Sequence, residues 1–140
     1  MILFKFEYDS KILFIIKEID NLKKEMDSSL LTSQVYKLSS LIAYSKDSVV
    51  SKTLINKDSG TITLFSFDKD QGLSEHKAPY DALVYIIKGD MLIGIEENNF
   101  TVKTGETILL PANKMHSLKA ISKSKMFLVM IKESKTKLTV

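Results

Sequence analysis

Between residues 49 and 131 the chain breaks into short β-rich runs, each closed by turn chemistry at intervals of roughly 8–12 residues, and that rhythm leaves room for little besides a sandwich or a barrel. The runs fall at 49–56, 61–67, 73–77, 82–87, 91–95, 100–103, 107–110, 115–120 and 125–131. Between them stand Lys57-Asp58-Ser59-Gly60, Asp68-Lys69-Asp70-Gln71-Gly72, Lys88-Gly89-Asp90 and Glu96-Glu97-Asn98-Asn99, which supply the glycine, asparagine and aspartate that tight turns need. No stretch in this part has the caps and period of a long helix. The fold class expected is all-β.

The first 48 residues do not continue this rhythm. Ile2, Phe4, Phe6 and Tyr8 alternate as a short strand would. After them Ile12, Ile15, Ile16, Ile19, Leu22 and Met26 recur at helical spacing, with Lys17, Asp20, Lys23 and Lys24 on the other side. That pattern predicts an amphipathic helix that covers one end of a barrel or packs in a dimer. Residues 33–44 read as a further edge strand and turn. The expected division is an N-terminal extension over 1–33 and a barrel domain over 34–140, with Met26 standing as an alternative start to Met1.

With 140 residues, 44% of them apolar and 26% charged, the chain has the make-up of one globular domain able to bury a core without covalent staples. Its basic excess is all lysine, and a net charge of +3 without a single arginine argues against a nucleic-acid partner. Cysteine is absent, which removes disulfides, thiolate metal sites and a cysteine nucleophile together and fits a cytoplasmic location. No apolar run approaches the ~20 residues of a membrane span, and Glu7 and Asp9 precede the first one where a secretory signal would be basic.

Only two histidines exist, His76 and His116, each at the centre of a strand-like run. Strand parity states what accompanies them. With His76 facing inward, Ser74 and Ala78 share its face while Glu75 and Lys77 point out. With His116 inward, Leu118 and Ala120 follow, and the next run contributes Ala82, Val84 and Ile86. The predicted pocket is thus lined by His76, Ala78, Ala82, Val84, Ile86, His116 and Leu118, mostly apolar around two imidazoles.

Two stretches carry a family resemblance. Glu75-His76-Lys77-Ala78-Pro79-Tyr80-Asp81-Ala82, followed six residues later by Lys88-Gly89, resembles the first motif of the cupin superfamily in spacing and closing glycine. Gly105 through Pro111 to His116 resembles the second, with Asn113 in a glycine place and Ala120 in the closing asparagine place. Gly72 stands nearer to His76 than the family's leading glycine does. The resemblance runs over about 34–132 and implies a small, RmlC-like cupin: a double-stranded β-helix, or jelly-roll barrel. It also implies a site where three histidines and a carboxylate hold zinc, manganese, iron or nickel. Here His76 and His116 keep two ligand places, and Ala78 and Ala82 replace the other histidine and the glutamate.

Three readings of the pair stand open. The imidazoles are buried polar residues and nothing more; or they hold a metal together with Asp81, turned inward by a bulge at Pro79, since two histidines and a carboxylate suit non-haem iron; or they form a metal-free pocket that binds a polar or anionic small molecule or exchanges protons with it. The function expected is a small-molecule-binding cupin with a reduced or absent metal site. The rival is a metal-dependent isomerase or dioxygenase of a small polar substrate, and no catalytic residue is assigned. Expected partners are a small-molecule ligand and a second copy in a homodimer, formed through the N-terminal segment or an outer sheet face, without nucleic acid or membrane. Phe65, Phe67, Met91, Met126, Phe127 and Met130 read as packing in the core or a dimer, and 132–137 as a solvated end.

Overall fold

The computed structural model describes residues 10–29 and 32–132. The short strand expected over 2–8 and most of the solvated tail lie outside them. The chain divides into two units, Met1–Val35 and Tyr36–Val140. In the first, the predicted helix is α1 (Ser10–Ser29), and Ile12, Ile15, Ile16 and Ile19 on it are exposed. No described helix is long and apolar enough to cross a membrane.

Among its described residues the second unit contains nine strands, each within two residues of its expected bounds: β1 (Val49–Lys57), β2 (Gly60–Phe67), β3 (Gly72–His76), β4 (Asp81–Lys88), β5 (Asp90–Ile95), β6 (Asn98–Lys103), β7 (Thr107–Leu110), β8 (His116–Ala120) and β9 (Ser124–Ile131). They form two antiparallel sheets, one ordered β1-β2-β9-β4-β7 and the other β3-β8-β5-β6. This is the jelly-roll arrangement, in which two sheets bury their inner faces against each other. The alternation of β4 shows how the sequence dictates it: Ala82, Val84 and Ile86 are buried while their neighbours are less so. Phe67, Val84, Ile86, Met91, Ile93 and Met126 are fully buried and come from both sheets.

Register builds the inner face in rows. Leu110, Ala82 and Met130 are cross-strand partners; so are Ile108, Val84 and Leu128; and Ile86 pairs with Met126 below them. Turn chemistry closes the frame. Gly89 and Gly105 adopt φ of 87° and 84°, a region other residues rarely enter. A side chain at Gly89 would also meet the Lys123 carbonyl at 2.4 Å. Asn113 takes φ 62° in the glycine place, as the ability of asparagine to enter the left-handed region allows.

One expectation fails. Residues 33–44 form no strand; they contain a single 3-10 turn, Leu38–Ser40. Their carbonyls are used by side chains of the sheet instead: Lys125 Nζ donates to Ser39 at 2.7 Å and Ser66 Oγ to Ala43 at 2.7 Å. The segment is thereby tied across the outer face of the larger sheet, and these side-chain bonds fix it where a ladder would otherwise be needed.

Candidate functional site

β3 and β8 bring the two histidines together. His76 and His116 are register partners, and their rings meet edge to face with centroids 4.4 Å apart. His116 is buried, at 7% exposure, whereas His76 stands at the open side. Each ring is fixed in the same way. His76 Nδ1 lies 2.7 Å from the Ser74 carbonyl and His116 Nδ1 lies 3.0 Å from the Lys114 carbonyl. A carbonyl can only accept, so each Nδ1 carries the hydrogen and each Nε2 is left with a lone pair. No hydrogen bond reaches either Nε2 among the described residues.

The rings line a cavity of about 50 Å³ together with Leu73, Ala78, Tyr80, Ala82, Leu110, Leu118, Met126, Leu128 and Met130. The expected lining is thus assembled in part: His76, Ala78, Ala82, His116 and Leu118 are brought together. Val84 and Ile86 are not among the lining; both are fully buried in the core on the same face of the sheet. Ser74 does not share the inward face of His76 either. The ladder of β3 slips between Leu73 and His76, three residues against two on β8, and this bulge turns Leu73 inward in place of Ser74. The three side chains of β9 were read as packing alone; Met126 and Met130 do pack, and they also wall the cavity.

Asp81 is not delivered to the histidines. Its Oδ1 accepts the Ala112 N–H at 2.9 Å and, with the bond from Asn113 N to the Ala78 carbonyl at 2.8 Å, it pins the turn over 111–114. The chain does bend at Pro79 and Tyr80, but Asp81, the first residue of β4, pairs with Ile131 and is exposed.

Burial pushes the pKa of His116 below its usual value, nearby His76 acts in the same direction, and the bond to the Lys114 carbonyl opposes them. The unfolded chain therefore takes up the proton first as pH falls. The contribution of His116 to stability is complete above pH ~6.5 and declines below it toward the lower folded value. Chemical denaturation at pH 7.5 and 5.5 should show a drop in midpoint that is smaller in His116→Gln; an equal drop in both proteins would assign the pH dependence elsewhere.

A family model for the cupin domain matches residues 63–132. The chain is a cupin. Solved structures agree. This cupin shares 34% identity with a conserved protein of unknown function from Streptococcus pyogenes, over 73% of this chain and 90% of that one, with a TM-score of 0.70. A cupin superfamily protein from Desulfitobacterium hafniense is 25% identical over 73% of this chain and 94% of its own, also at 0.70. A cupin 2 conserved barrel domain protein from Leptotrichia buccalis is 37% identical over 69% of this chain, with a TM-score of 0.67, and the match spans 47% of that longer protein. No curated protein matches.

The residues of this cupin do not fit the four-ligand metal set that its family implies. Ala78 and Ala82 line the cavity in two ligand places with side chains that have no donor. Asp81 is held by Ala112, and no group of three histidine, aspartate or glutamate side chains stands together among the described residues. Two imidazoles are one ligand short even of a three-residue catalytic site.

Proposed function

We propose that this cupin is a small-molecule-binding barrel whose cavity reads its ligand through the two Nε2 atoms of His76 and His116. The supporting observation is the pair of Nδ1–carbonyl bonds. They orient both rings and leave two lone pairs at an otherwise apolar cavity. A cavity of about 50 Å³ is far below the ~300–1,000 Å³ of sites for drug-sized ligands. The ligand is accordingly a molecule of a few heavy atoms, or the tip of a larger one.

The rival reading, a metal-dependent isomerase or dioxygenase, draws on the same bonds, since metal-ligating histidines also tie their second nitrogen to a carbonyl. Metal content separates the two. Protein purified without an affinity tag should contain far less than one manganese, iron, nickel or zinc per chain by elemental mass spectrometry. Near-stoichiometric metal that disappears in His76→Ala would overturn the binding reading in favour of the enzyme.

A further inference from the structure

The donors and acceptors of the cavity are unevenly divided. His76 and His116 each present a bare Nε2, and the other lining groups are aliphatic or thioether apart from the Tyr80 ring. Neither lysine nor any carboxylate lines it. Two acceptors on rings whose centroids lie 4.4 Å apart, without an opposing donor fixed by the backbone, match one head group that brings at least two hydrogens of its own. A hydroxyl brings one, and a carboxylate at neutral pH brings none. The pair also stands at the boundary between the closed and the open side, with His116 buried and His76 exposed, so a polar head held between them keeps contact with water while its body enters the apolar part.

Resting on the pocket reading above, we infer that the ligand is a compact apolar molecule bearing a primary amino group, bridged by N–H donation to His76 Nε2 and His116 Nε2. Its hydrocarbon part lies against Met126, Leu128 and Met130. The titratable side chains facing the site besides the two histidines are Tyr80 and, over the Tyr80 ring at 5.8 Å, Lys132.

Three probes of one shape test this: isobutylamine, isobutanol and isobutyrate, titrated at pH 8, above the ordinary imidazole range, into protein carrying ¹³C-labelled methionine methyls. The amine should shift the Met126 and Met130 signals and bind about tenfold more tightly than the alcohol, as expected for one added hydrogen bond to a charged donor, while isobutyrate leaves them in place. In His76→Ala, whose lost ring is exposed and outside the core, one acceptor remains and the preference for amine over alcohol should fall to about twofold or less. Isobutyrate binding as well as the amine, or an undiminished preference in His76→Ala, would overturn the amine assignment and leave the pocket standing. If none of the three probes moves the methionine methyls, the pocket reading fails with it.

Discussion

In a variant carrying Ala78→His and Ala82→Glu together, this cupin should bind one divalent ion per chain, and the unaltered chain should bind far less. Both alanines line the same cavity as His76 and His116, so the change adds two donor side chains to the two imidazoles there. Without metal the variant should be destabilised by several kcal/mol, because a carboxylate and a third imidazole enter a largely apolar space of about 50 Å³. With zinc or manganese at a hundredfold excess over its dissociation constant, about 2.7 kcal/mol of stability returns by mass action. Thermal unfolding with and without each ion measures both effects. A variant that folds and shows no metal-dependent rise in its midpoint would mean that residues 78 and 82 do not face a common centre with the histidines.

The second large effect lies in the core. Phe67 is fully buried and stacks against Phe65 with centroids 6.0 Å apart. Phe67→Ala should cost about 3–5 kcal/mol, the range for removing a buried aromatic ring, and shift the urea midpoint accordingly. Leu109, equally apolar but 66% exposed on the outer face of β7, should change stability by no more than about 0.5 kcal/mol when replaced by alanine. Comparable losses from the two would contradict the assignment of inner and outer faces.

The strands were legible because each is bounded by residues whose backbone needs are local. Gly89, Gly105 and Asn113 all take the positive φ that their turns demand, and such demands can be read from a few neighbouring residues. The stretch 33–44 was not legible as a 3-10 turn, since what decides its shape is Lys125 and Ser66, distant in the chain. The site was legible to the extent that pleating is uninterrupted. Parity placed His116 with Leu118 correctly, and it failed at Ser74 because a bulge adds a residue that no local pattern signals. Parity also puts Val84 and Ile86 on the inner face, where both are fully buried, but parity does not say which inward side chains border a cavity and which fill the core. Met130 reads from the sequence as packing alone because only its pairing with Ala82 across the sheet brings it to the cavity, and long-range register is absent from any window of sequence.

Each imidazole is tied by Nδ1 to a carbonyl two residues back on its own chain, and this limits what the pair can do with a proton. A ring that relays protons takes one up at one nitrogen and releases another from the opposite side; here the opposite side is closed by the strand. Any proton received at Nε2 must leave by Nε2 unless the ring first lets go of the backbone. His76 and His116 form a reservoir with a single door, opening on the cavity, so a reaction catalysed there would have to begin and end its proton transfers on the same side of each ring.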